Sequence, residues 1–136
     1  MTLPDTSAWI EYLRRTESHI DLRLDHLITA GAPIAVTEPV EMEVLVGARS
    51  PRVRREQQEL LRSFTWLPFV TATDFAGAVA LYDRCRREGI TPRGMIDCMI
   101  AAVGLRHDVV VLTADRDLAR IAEVTGLRLD PASVGP

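Results

Sequence analysis

Five carboxylates in this 136-residue chain sit where an acid needs explaining: Asp5, Glu43, Asp97, Asp115 and Asp117. Asp97 is the sharpest case. It lies in GMIDCMIAAVGL, Gly94 to Leu105, where every other residue is apolar or glycine. A carboxylate buried alone costs several kcal/mol or loses its charge. Such an acid calls for a hydrogen-bond donor, an arginine or a metal ion, and Arg93, one turn earlier, is one candidate. Glu43 repeats the anomaly. On a helix from Thr37 to Ala48, Val40, Glu43, Val44 and Gly47 share a face that is otherwise apolar. By the same helical phase Glu38 and Glu41 lie on other faces and are expected in solvent.

The remaining acids follow strands. Asp5 comes directly after a very short first strand, and Asp115 and Asp117, in TADRD, come just after the strand VVVL. If both strands are parallel members of one sheet, these acids share its carboxyl edge, where ligands bind in open α/β folds. Gathered like charges repel, and their pKa values rise unless cations enter. Hard divalent cations, Mg²⁺ or Mn²⁺, suit such oxygen donors. A cation there would make water a better nucleophile and neutralise charge on a phosphate oxygen. Each acid also has a plainer reading. Asp5 can cap the helix that begins DTS, and Asp115 and Asp117 can be cap and first-turn acids. Glu43 points outward if the helical phase is shifted, and Asp97 can pair with Arg93.

Rival chemistries find little support. No serine, cysteine and histidine set has motif spacing, and His19, His26 and His107 fall near helix ends, as surface residues do. All 16 basic residues are arginine, which excludes mechanisms that need a lysine, such as Schiff-base chemistry or a P-loop. Cys85 and Cys98 lie in helical segments outside any CxxC pair, and read as reduced, buried thiols rather than a disulfide or zinc ligands. Net charge is −3, yet without the five acids the remainder is positive, with arginine clusters at 49–55 and 84–93. Either cluster can meet nucleic-acid phosphates or form a solvated face.

The elements that must position these acids alternate. Short strands are expected at Leu3–Asp5, Pro33–Val36, Trp66–Val70 and Val109–Leu112, with a possible edge strand at Leu127–Leu129. Thr6 or Ser7 is expected to cap the first helix. Further helices run over Ile20–Ala30, Thr37–Ala48, Pro51–Phe64, Thr73–Gly89, Met95–Arg106 and Asp115–Thr125. This pattern indicates one α/β domain, residues 1–136, with a mostly parallel sheet of four to five strands. Pro4 is the awkward residue, because a residue without an N–H suits an edge or a bulge better than a central strand. No apolar run approaches the roughly 20 residues of a membrane span. The start, MTLPDTSAWI, does not read as a signal peptide, so a cytoplasmic location is expected.

DTSAWIEYLR (Asp5 to Arg14), EVLVG (Glu43 to Gly47), DCMIAA (Asp97 to Ala102) and TADRD (Thr113 to Asp117) together resemble the acidic motifs of PIN domains. Their order and spacing are similar to those of VapC-type ribonuclease toxins of toxin–antitoxin operons. The resemblance covers nearly the whole chain and implies a three-layer α/β/α fold. It implies an acidic quartet of Asp5, Glu43, Asp97 and Asp115, with Asp117 as an auxiliary acid. Asp5 and Asp97 would be the principal Mg²⁺ ligands, and Thr6, Ser7 and Thr113 would hold water or substrate. The implied reaction is hydrolysis of an RNA phosphodiester, in a structured RNA such as tRNA. The implied partners are a VapB-type antitoxin and a second copy of the chain. The alternatives are a nuclease of the same fold acting on DNA or in RNA maturation, and a non-catalytic interaction domain. A haloacid-dehalogenase-like phosphatase fits poorly, since TADRD has no lysine to support an aspartyl-phosphate.

Overall fold

Strand β1, Thr2–Pro4, lies in the middle of the sheet. On one side it runs parallel to β4, Val110–Leu112, with Pro4 opposite Leu112. On the other it meets Ile34, which leads into β2, Ala35–Val36. Parallel to β2 runs β3, Thr65–Trp66. Leu129 bridges the far side of β4 in parallel, so the expected edge strand is reduced to a single bridge. The spatial order is β3-β2-β1-β4, all parallel. The computed structural model describes residues 1–136.

The placement of Pro4 corrects the edge expectation, and the alternation of the strand explains how the sheet accommodates it. Thr2 donates its N–H to Pro33 O, toward β2. Two residues on, the Pro4 nitrogen faces the same way and has no hydrogen to give. Pairing of β1 with β2 therefore shrinks to one bridge, while pairing with β4 continues through Asp5 N to Leu112 O at 2.9 Å. β3 is shorter than the expected Trp66–Val70 because Pro68 removes a donor within it.

Seven helices surround this sheet. They are α1 Thr6–Arg14, α2 His19–Thr29, α3 Glu38–Val46, α4 Pro51–Arg62, α5 Thr71–Arg87, α6 Met95–Arg106 and α7 Arg116–Thr125. Successive strand residues face opposite sides, and Leu3 with Pro4, and Val111 with Leu112, are all buried. Both faces of the sheet are therefore covered, which makes three layers. α1 packs on α2 and α3, while α5, α6 and α7 pack on one another. No helix is long and apolar enough to cross a membrane.

Helix ends follow side-chain chemistry. Asp5, rather than Thr6 or Ser7, is the N-cap of α1 and accepts from Ala8 N. Ser18 and Ser50 cap α2 and α4. α5 starts at Thr71, two residues before the expected opening, because Asp74 reaches back to accept from Val70 N at 2.7 Å. α7 ends on Gly126 at φ 76°, a left-handed conformation that favours glycine. α6 lies close on the sheet. A Cβ added to Gly104 would stand 3.1 Å from Leu127 Cδ1 and 3.3 Å from Val111 Cγ2. Cys85 and Cys98 are free and buried, and burial raises both thiol pKa values.

Two expectations for α3 change. Glu41 is buried rather than solvated, and Arg62 of α4 holds it with Nε at 2.9 Å from Oε2. Glu38 is exposed, yet its carboxylate accepts from Phe69 N at 2.7 Å. Partial desolvation pushes its pKa up, but this hydrogen bond and smaller ones outweigh it and leave the group below its ordinary value.

Candidate active site

β1 and β4 end side by side, so the residue after each strand meets its counterpart. Asp5 follows Pro4 and Thr113 follows Leu112. Thr113 Oγ1 donates to Asp5 Oδ2 at 2.5 Å, and Ser7 Oγ donates to Asp5 Oδ1 at 2.6 Å. With Ala8 N on Oδ1 at 2.9 Å, the Asp5 carboxylate has three donors and no cation. Burial dominates all the same. Asp5 is 2 % exposed, and desolvation pushes its pKa up to about 6 against the lowering pull of those hydrogen bonds. The charge of Asp115 adds to the rise.

The two hydroxyls also hold the loop after β4. Ala114 N donates to Ser7 Oγ at 2.8 Å and Asp115 N to Thr113 Oγ1 at 2.9 Å. Thr6 donates to Glu43 Oε1 at 2.5 Å, which ties α1 to α3. Thr6, Ser7 and Thr113 thus act first as holders of carboxylates and loop. Sequence reasoning assigned them to water or substrate and missed this role. The signal was the register: two strands ending in DTS and TAD place a hydroxyl beside an acid.

Asp97 stands in the first turn of α6, with no hydrogen bond or ion pair from the protein. Its pKa is pushed up to about 7, first by desolvation and then by the charges of Asp115, Asp5, Glu43 and Asp117. The alternative pairing with Arg93 does not form. Arg93 turns instead to Asp115, with Nη2 at 2.6 Å from Oδ1, and lies 3.8 Å from Asp117 Oδ2. It is the next residue but one before α6, at a bend ahead of the extended N-cap Gly94, so its side chain leaves the helix direction that a one-turn spacing assumes.

Asp5, Glu43, Asp97 and Asp115 line one cleft of about 550 Å³, together with Thr6, Ser7, Ile10 and the segment Arg93 to Ile96. Asp117 does not line it. Asp117 is 3 % exposed and accepts from the backbone N of Arg93 at 3.1 Å, which anchors the loop before α6. Asp115 is both cleft acid and N-cap of α7, accepting from Asp117 N at 2.8 Å. The plain cap readings of Asp5 and Asp115 therefore hold, and both acids also line the cleft.

The donor set suits a divalent cation by chemistry. It offers hard oxygens whose mutual repulsion opposes ionisation, and in Asp97 a carboxylate with no protein partner. No three acids stand close enough together to form a ready coordination shell. Hydroxyls engage Asp5 and Glu43, and Arg93 engages only Oδ1 of Asp115, which leaves its Oδ2 free for a cation.

The PIN domain family profile matches residues 2–124. Ribonuclease VapC11 of Mycobacterium tuberculosis is 37% identical over 129 residues, covering 94% of this chain and 96% of that protein. The chain belongs to the VapC ribonucleases of the PIN-domain family. A VapC ribonuclease of Mycobacterium bovis matches to the same extent. Membership makes this VapC protein an endoribonuclease. Solved structures agree on the fold. The crystal structure of VapBC2 from Rickettsia felis, bound to a DNA fragment from its promoter, superposes with a TM-score of 0.74 at 14% identity. It covers 95% of this chain and 96% of that one. FitAcB from Neisseria gonorrhoeae gives 0.70 at 21% identity, covering 98% and 100%.

Proposed function

We propose that this VapC protein is the toxin of a type II toxin–antitoxin pair and a Mg²⁺-dependent endoribonuclease that cuts a structured RNA such as a tRNA. Asp97 carries the reading: an acid with no protein partner, on an apolar helix, facing Asp5, Glu43 and Asp115. Asp5 and Asp97 would be the main holders of the cation, Mg²⁺ or in its place Mn²⁺, with Glu43 and Asp115 beside them. When bound, the cation neutralises charge at the phosphate and makes an attacking water more acidic.

The chain's own groups do the rest. Ser7, Thr113 and the Ala8 N–H favour the ionised form of Asp5 in a buried place where it would otherwise stay protonated. Thr6 fixes the direction of Glu43. Packing of Cys98, Ile100, Ala101 and Val103 in the core holds α6, and with it Asp97. Arg93, exposed at the cleft, offers its guanidinium to a substrate phosphate once Asp115 is drawn away.

A VapB-type antitoxin is the proposed partner, as in the solved VapBC complexes of this fold. A homodimer is the proposed assembly. Exposed apolar pairs at helical spacing, Phe75 with Val79 on α5 and Met42 with Val46 on α3, support it. The proposed location is cytoplasmic, where RNA and antitoxin are found. The test is cleavage of total RNA by purified protein with Mg²⁺ or Mn²⁺, with and without EDTA, read by 5′-end sequencing. A single cut in one RNA class that EDTA stops is expected. Cleavage that persists in EDTA, or undiminished cleavage by Asp97→Asn, would sink the reading.

A further inference from the structure

A second cavity, of about 390 Å³, adjoins the acidic cleft between α1, α3 and the start of α4. Ile10 and Glu43 line both cavities, so the two share a wall. Its walls are apolar where Ile10, Leu13, Val44 and Val53 meet. Its charged lining includes Arg14 and Arg49, both exposed. Neither arginine pairs with an acid, although Arg23, Arg52, Arg62, Arg93, Arg106 and Arg128 all do. Against Glu43, the one acid in the lining, Arg14 and Arg49 leave the cavity wall with a net positive charge.

Resting on the nuclease reading above, we infer that this second cavity is the subsite for one nucleotide of single-stranded RNA next to the scissile phosphate. The apolar wall takes the base, and Arg14 and Arg49 take the phosphates on either side. A nucleotide matches this mixture, because its base has a flat apolar face and its backbone a full negative charge. The volume lies in the range of small-ligand sites. The shared wall of Ile10 and Glu43 sets the subsite beside the cleft, within reach of one strand. No aromatic side chain lines the cavity. The base is therefore held by aliphatic contact.

The cavity can be filled without disturbing charge. Gly47 lines it, and its φ of −81° is open to any residue. An added Cβ would meet only Val44 O at 3.6 Å and Glu43 O at 4.0 Å, ordinary contacts. Gly47→Leu, Arg14→Ala and Arg49→Ala are measured in two assays. In steady-state cleavage of a single-stranded RNA oligonucleotide with Mn²⁺, each should raise KM by roughly tenfold while kcat stays within about twofold. In the Asp97→Asn background, binding of the same labelled oligonucleotide is followed by anisotropy at several salt concentrations. Each arginine removed should flatten the slope of log affinity against log salt by about 0.7, and Gly47→Leu should weaken binding without changing the slope. Melting temperature should not move. Unchanged KM and unchanged slopes in all three variants overturn the inference even if the parent enzyme cuts RNA well. So do variants that lose only the affinity for an antitoxin peptide, which would make the cavity a peptide groove. A parent enzyme that cuts no RNA defeats the nuclease reading instead, and the anisotropy slopes still decide this one.

Discussion

Two kinds of place for a buried or half-buried acid stand in contrast in this molecule. Asp74, Asp130 and Glu41 each meet a guanidinium: Arg106 at 2.7 Å, Arg23 at 2.9 Å and Arg62 at 2.9 Å. In the cleft, Asp5 meets only hydroxyls and an amide, and Asp97 meets no donor. The effect on ionisation is opposite. The Arg106 hydrogen bonds hold Asp74 below its ordinary value, while burial and repulsion push Asp97 up to about 7. A chain with 16 arginines supplies the cleft with one, Arg93, and satisfies its structural acids elsewhere. Under the proposed function, the difference separates carboxylates that hold the fold from those kept for a cation.

The largest effect should come from Asp97→Asn. Loss of the proposed metal donor should cost more than the roughly hundredfold typical of supporting residues, and should leave the melting temperature equal or higher. A lower melting temperature would put Asp97 with the structural acids. Thr113→Val removes a supporting hydroxyl from Asp5. Its cleavage rate should fall by about 10–100-fold, and the acid limb of its pH–rate profile should move to higher pH. Arg106→Ala should do the reverse, destabilising the fold by about 2 kcal/mol because Asp74 is buried and Arg106 partly exposed. Specific activity of its folded fraction should stay unchanged, as denaturant titration and single-turnover cleavage can show together.

The smallest effect is a slope with pH. Asp97 and Asp5 have folded-state pKa values above their unfolded ones, about 7 and about 6 against 3.8. The native state then holds more protons than the unfolded state between those values, so their contribution falls as pH rises from about 4 to 7. The melting temperature of metal-free protein, measured relative to Asp97→Asn, should drop across that window. Added Mn²⁺ should restore more stability at pH 8 than at pH 5. A flat difference curve would mean that Asp97 titrates as an ordinary surface acid.

Much of this contrast was legible in the sequence, because apolar surroundings and one acid are both local facts. Asp97 in GMIDCMIAAVGL and Glu43 between Val40 and Val44 stood out by helical spacing alone. The motif order made the fold legible too, and α6 was bounded to the residue. What could not be read was pairing across the fold. The Arg62–Glu41 and Arg93–Asp115 contacts join residues 21 and 22 positions apart whose side-chain directions depend on loop geometry. Pro4 misled because its missing N–H was weighed without knowing which neighbour it would face.

Gly104 has a consequence at a distance. Two turns along α6 from Asp97, it lets the helix rest against Leu127 and Val111 with no side chain between. The height of Asp97 above the sheet is thereby a dimension set by packing rather than by chemistry. An added methyl at Gly104 works as a shim, lifting one end of a rigid rod whose other end carries the acid. Tolerances in the apolar layer become tolerances in the spacing of charges. A core variant of this enzyme can fold cooperatively, keep every acidic residue and still be slow.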